Sequence, residues 1–293
     1  MKFNLKHRKD RLGTQWLCIL YQFYYCTYMN YYIQYNDDYI PFNDSIFIQC
    51  IFKLIKAHNS SFTKIESIII DDIINIDGYA DVDIGNDMCY GLGFIVNLLQ
   101  QDLLSYFKEK FYYQIQLYYN NLCSKFKSIP FDPENSIIIH LRLDDQIYEE
   151  DYDGKICSTH YINLINNSEK CYFTNGPNKK YNKQNPLSYN KIKIQLNILQ
   201  SQFPKAKIII IASPLTEIPA LNFNYDLIIQ NLDYNYDLFL LSKAKKIILS
   251  RSNFAVVSLF FGEHTHVHMP LWGHFACLGF GTKYDKNKFT YFY

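Results

Sequence analysis

The chain has 293 residues, 34.8 kDa and 48% hydrophobic side chains, enough to bury a large α/β core. Its net charge of +1 excludes the basic field by which proteins hold nucleic acid through its phosphates, so nucleic acid is not an expected partner. The 8 cysteines form no C-x-x-C pair, which excludes a redox or zinc motif of that kind and suits reduced thiols in a cytoplasmic protein.

In chain order, the first feature is a basic stretch, "KHRKDR", followed by uncharged residues from Trp16 to Ile33. About eighteen such residues are long enough to span a bilayer. Yet Gln15, Gln22, Thr27, Asn30 and Gln34 would need partners in lipid, and the tyrosines suit an interface better than a hydrocarbon centre. The segment is therefore read as the first packed helix of a soluble, cytoplasmic protein, with a signal anchor through residues 16–33 as the alternative. The 27 Tyr and 22 Phe accompany abundant Ile, Asn and Lys, an AT-rich codon signature, so isolated surface tyrosines are given no functional weight.

The chain up to Phe126 reads as mostly helical. "FIVNLLQQDLLSYFKEKFYYQIQLYYNNLCSKF" repeats apolar residues at three- and four-residue spacing, as an amphipathic helix or helix pair does. Within this half, "DVD" at Asp81 to Asp83 matches the paired carboxylates of a hard-cation site, but "IDGYADVDIGND" reads as a turn, so no metal is expected there. "GLGF" at Gly91 to Phe94 is too short for a nucleotide fingerprint. The polar, proline-bearing stretch Lys127 to Ser136 reads as a linker.

Beyond the linker, short apolar runs alternate with helical stretches. "SIIIHLRL", "KAKIIIIAS", "YDLIIQ", "KKIILS" and "THVHMP" are expected strands; "THYINLINNS", "YNKIKIQLNILQSQF", "YDLFLLSKA" and "NFAVVSLFF" are expected helices. That alternation predicts a parallel sheet of βαβ units, in which ligands bind beyond the carboxyl ends of the strands. His140, Arg142 and Asp145 fall at one such end, Ser213 at a second, and Ser250, Ser252 and Asn253 at a third. Thr174 to Asn190, rich in Asn, Lys and Pro, reads as a surface loop. In "EHTHVH" the period of two would put His264, His266 and His268 on one strand face, where three imidazoles could hold zinc; a partly exposed edge strand is the preferred reading.

Arg142 offers a planar, permanently charged fork that grips phosphate through two hydrogen bonds. "SRSNF", Ser250 to Phe254, opens a helix, where backbone N–H groups and hydroxyls receive anions. The bland alternatives are a salt bridge from Arg142 to Asp144 or Asp145, and a plain helix cap at Ser252.

Three blocks in order, "RLGTQ" (Arg11 to Gln15), "HLRLDD" (His140 to Asp145) and "DLFLLSKAKKIILSRSNFA" (Asp237 to Ala255), resemble those of the α-1,2-fucosyltransferases and the related protein O-fucosyltransferases. That family shows R-L-G-N-Q, a strand ending H-x-R-x-G-D, and D-L-x-L-M-S followed by I-S-N-S-x-F-S. The resemblance implies a GT-B-like α/β fold of two Rossmann-like halves: a helical N-terminal, acceptor-side half (1–130) and a parallel-sheet C-terminal half (136–293) that binds the nucleotide sugar. It implies transfer of a sugar, fucose in most of the family, from a GDP-sugar to a glycan or protein acceptor, with no metal and no cofactor. Arg142, His140 and Asp145 would be catalytic, and Gly13, Gln15, Ser213, Ser250, Ser252 and Asn253 would bind substrate. The chain departs from the pattern at Thr14, Asp144, Ala255, Val256 and Val257, and no apolar strand is evident before Arg11. The departures keep open a catalytically inactive nucleotide- or glycan-binding protein on the same fold.

Overall fold

The structure is a computed structural model. It describes residues 1–6, 12–36, 40–62, 69–70, 73–76, 79–83, 99, 102–126, 128–142, 187–214, 218, 220–270 and 288–292. They fall in two compact units, the first within Met1–Lys125 and the second from Phe126 onward, closing on the last strand.

The first unit is built on β1 (Lys2–Asn4), α1 (Leu12–Met29), β2 (Tyr32–Gln34), α2 (Ile46–Asn59) and β3 (Ile69–Ile70). The strands form a parallel sheet in the order β2-β1-β3. This half is mostly helical, as expected, but its helices accompany a small parallel sheet, and a strand does precede Arg11. It escapes a hydrophobicity reading because it is three residues long and only Phe3, fully buried, is apolar. A hairpin of β4 (Ile73–Ile76) and β5 (Tyr79–Asp83) follows, so Asp81 to Asp83 lies in a strand and not in the expected turn.

α1 is buried on every side from Leu12 to Cys26, which makes it the centre of this unit. Several of its polar side chains find protein partners: the Trp16 indole N–H donates to the Phe47 carbonyl at 3.0 Å, and the Thr27 hydroxyl lies 2.8 Å from the Tyr24 carbonyl. The Gln22 amide accepts from the Lys6 N–H and donates to the Lys6 carbonyl, both at 2.7 Å, as a peptide group would. Among the described residues, no helix is long and apolar enough to cross a membrane. At the far end of α2, Asn59 donates to the Ile33 carbonyl at 2.8 Å and accepts from the Ile33 N–H at 2.9 Å. The long amphipathic stretch resolves into a pair, α3 (Leu103–Lys110) and α4 (Tyr112–Cys123), separated at Phe111.

The second unit contains β6 (Ser136–Leu141), α5 (Tyr189–Gln202), β7 (Lys207–Ala212), β8 (Leu227–Gln230), α6 (Tyr234–Lys243), β9 (Lys246–Ile248), α7 (Asn253–Phe261), β10 (His266–Pro270) and β11 (Phe289–Phe292). All six strands are parallel, in the order β11-β10-β9-β6-β7-β8. Buried parallel strands carry apolar side chains on both faces, and Ser136 to Leu141 is buried throughout. On one face Ile137, Ile139 and Leu141 pack with Tyr189, Ile192, Leu196 and Leu199 of α5. His140 points to the other face, where its ring centroid lies 5.9 Å from that of Phe254 on α7.

The three histidines do not share one strand face, and the expected edge strand is not what holds them. β10 is an interior strand, paired on both sides. His266 and His268 lie on it and face α5: the His268 Nδ1 bonds the Gln195 side-chain oxygen at 2.8 Å, and His266 meets the Phe203 ring edge-on. Burial, with His266 beside it, lowers the pKa of His268 to about 4, so it is a neutral core histidine. His264 precedes the strand and bonds the Ala244 carbonyl at 2.6 Å, where α6 ends. Among the described residues, no cluster of His, Cys, Asp or Glu could hold a metal.

Gly262, just after α7, is set against the Ser242 carbonyl and the His264 ring so closely that a Cβ would collide with both. One of those atoms is backbone and cannot rotate away. We predict that Gly262→Ala loses about 1–3 kcal/mol, the range for overpacking. Urea denaturation should show a lowered midpoint, and an unchanged midpoint would mean the two helix ends are not packed as described.

Candidate functional site

In the second unit the chain leaves β6 toward β7 and β8 on one side, then returns through α6 to β9 on the other side of β6. The strand order reverses between β6 and β9. At such a reversal the two connecting segments diverge to opposite faces of the sheet and leave a crevice at the carboxyl edge. His140 and Arg142 end β6, and Ser250 to Asn253 join β9 to α7, so both groups belong to this one crevice.

Two side-chain bonds tie its walls together. The His140 Nδ1 and the Ser250 hydroxyl are 2.6 Å apart, with both residues buried. The Arg142 Nη1 donates to the Arg251 carbonyl at 2.7 Å. Ser252 holds the N-cap position of α7 with extended backbone and is 4% exposed, yet its side chain makes no cap hydrogen bond. The plain-cap reading of Ser252 is therefore not what its hydroxyl does. Asn253 follows as the first residue of α7 and is half-buried. Because α7 starts here, its first-turn N–H groups and the positive end of its dipole open onto the crevice.

Ser213 follows β7 one position beyond the Leu141–Ala212 pair, next to the end of β6, and its carbonyl accepts from the Gln230 side chain of β8 at 2.7 Å. Gly13 and Gln15 are buried in the first turn of α1, in the first unit. There β1 is central and the chain departs to β2 on one side and β3 on the other, so α1 also begins where strand order reverses. Asp144 and Asp145 lie outside the described residues.

One group at this edge opens the third sequence block but is given no site role there. Asp237 lies in the first turn of α6, which follows the carboxyl end of β8 and packs against α7. It is 7% exposed, and among the described residues its Oδ1 has no hydrogen-bond partner. Burial first, and the neighbouring Asp233 second, raise its pKa to about 7. A buried carboxyl whose proton is held up to neutral pH, at the carboxyl edge of a parallel sheet, is a group that can hold or release a proton there. Its sequence signal was the lone acid in "YNYDLFLLSK", an apolar helix.

Comparison with family models, with curated proteins and with solved structures returns no match.

Asp237 also sets a stability trend. Its folded pKa of about 7 is above its ordinary value of 3.8, so between these the folded state keeps a proton that the unfolded chain has lost. The stability tied to that proton is complete below about pH 4 and is lost as pH rises through about 7. We predict that Asp237→Asn removes this loss: the variant should gain melting temperature over the wild type progressively from pH 4 to pH 8. Parallel pH profiles for the two proteins would exclude a buried, protonated Asp237.

Proposed function

We propose that the chain is a nucleotide-sugar transferase that binds the diphosphate of its donor in the β6–β9 crevice. The observation that carries this reading is the junction of a guanidinium, two buried serines and a helix N-terminus at the point where the strand order reverses. The two-half, GT-B-like architecture, the GDP-fucose donor and the glycan or protein acceptor come from the resemblance of the three sequence blocks, and are proposed with it.

Transfer leaves positive character on the sugar and growing negative charge on the departing diphosphate. Arg142 and the α7 amides are already oriented, so they meet that charge without reorganising, which is where electrostatic catalysis gains most. His140 fixes the Ser250 hydroxyl and, through it, the turn that presents Ser252 and Asn253. Asp237 would suit the base on giving up the proton that burial makes it keep: guanine offers neighbouring N1–H and N2–H donors, which the resulting carboxylate would accept together. With Arg and N–H donors neutralising the diphosphate, a cation is not required. The departures at Thr14 and Asp144 favour a second reading, a binder of GDP without turnover.

A thermal-shift screen against nucleotides and nucleotide sugars tests the donor class, with GDP and its sugars expected to stabilise the protein. In a radiolabelled transfer assay, Arg142→Lys should lose about two to three orders of magnitude in turnover and weaken GDP binding, because Lys keeps the charge but not the fork. Its melting temperature should stay near that of the wild type. An early-melting variant that binds GDP normally would make Arg142 a structural residue. GDP binding with no transfer to any acceptor would select the non-catalytic reading.

Metal independence gives a separate prediction. Transfer should survive EDTA; loss on chelation, restored by manganese, would shift the diphosphate to a cation site and reopen Asp81 and Asp83.

A further inference from the structure

The sheet of the second unit ends on one side at β8, away from the crevice. The direction of its backbone groups follows from the strand beside it. Lys207 N–H donates to the Asn135 carbonyl on the β6 side, so Ile208, next along β7, turns the other way: its N–H reaches an Asp226 carboxylate oxygen at 2.7 Å and its carbonyl accepts from the Asp226 N–H at 2.8 Å. With β7 and β8 in parallel register from Ile209 and Leu227 to Ala212 and Gln230, this alternation turns the backbone groups of Leu227 and Ile229 toward β7 and those of Ile228 outward.

In the first unit the corresponding outward residue of β2, Ile33, has both its groups taken by Asn59. Among the described residues, nothing takes those of Ile228. β8 also lacks the devices that guard an edge: it holds no proline and no lysine, and its pairing with β7 has no bulge. Leu227, Ile228 and Ile229 are half-buried, whereas Ile209, Ile210 and Ile211 opposite them are buried. Tyr225, just before the strand, is 47% exposed, and Leu232, just after it, is 82% exposed.

An open strand edge receives another strand, and the pattern here selects which one. With one outward residue at the centre, two antiparallel copies of β8 can pair about a two-fold axis through Ile228, each N–H meeting the other copy's carbonyl. That register sets Leu227 opposite Ile229, and Asp226 opposite Gln230 instead of opposite its own copy, so like charges are kept apart. It also brings the Tyr225 end of one strand to the Leu232 end of the other, where the two apolar side chains cover each other. A parallel pair would lose this match and set Asp226 beside Asp226.

We propose that β8 is a self-association edge, through which two copies of the chain join antiparallel, with Ile228 on the two-fold axis, into one continuous sheet. The partner is a second copy of this chain.

Sedimentation velocity of the full chain at rising concentration is the test. An interface centred on a strand of 4 residues is a small one, and the expected result is a monomer–dimer equilibrium with Kd on the order of 10–100 µM. Tyr225→Lys combined with Leu232→Lys puts like charges together at both ends of the pair, and should raise that Kd by about tenfold with the melting temperature unchanged. Ile228→Cys should crosslink to a second copy under glutathione disulfide, because the Cα atoms of a hydrogen-bonded antiparallel pair are about 5.5 Å apart, within disulfide reach; the wild type should not crosslink. A wild type that stays monomeric well above that concentration range would overturn the proposal, as would a dimer that withstands both lysines and is not crosslinked through Ile228→Cys. Should the double lysine variant not fold, the crosslink alone decides.

Discussion

The pairing of β6 with β9 is the constraint on which the second unit depends. These strands are separated by more than a hundred residues of sequence, yet Ile137 to Ile139 lie in register with Lys246 to Ile248. Everything between them must leave and return without crossing that ladder. With right-handed crossovers, departure toward β7 and departure toward β10 put the connecting helices on opposite faces. A cleft at the carboxyl edge follows from topology before any side chain is chosen, and the side chains that line it are those that end the two paired strands.

That explains why an apolar strand ends in His140 and Arg142. His140 is buried but bonded to Ser250, so its polarity is satisfied by the neighbouring strand's turn and not by water. Arg142 emerges where the strand stops and its guanidinium reaches a carbonyl of the same turn. Charge at this place is tolerated because the sheet ends there and backbone groups of two connections converge. The same residues two positions earlier would lie inside the parallel ladder with no such partners.

The strands of the second unit were legible because interior parallel strands read as unbroken Ile and Leu runs, as at Ile137 to Ile139 and Ile208 to Ile211. β1 was not legible: with three residues and one apolar side chain, it is a strand because α1 and its two neighbours make it one. The alternating histidines gave a misleading period, since His264 belongs to the turn after α7 and is held by the end of α6, a tertiary contact no local pattern encodes. Arg142 was visible by type and position, but its bond to the Arg251 carbonyl and the burial of Asp237 arise only once β9, α6 and α7 are folded back beside β6. Sequence carries the chemistry of each residue; the reversal in strand order decides which of them meet.

Asn59 has a consequence for the behaviour of the molecule in company. In β2, Tyr32 and Gln34 turn their backbone groups toward β1, as the bonds from Tyr32 N–H to Met1 and from Leu5 N–H to the Gln34 carbonyl show, which leaves Ile33 facing outward. Asn59 takes both the N–H and the carbonyl of that residue. A three-residue strand offers only this one outward pair, so a single amide closes the border of the sheet. Among the described residues, an incoming strand from another molecule finds the outward pair of β2 already taken, which opposes growth of the sheet on that side.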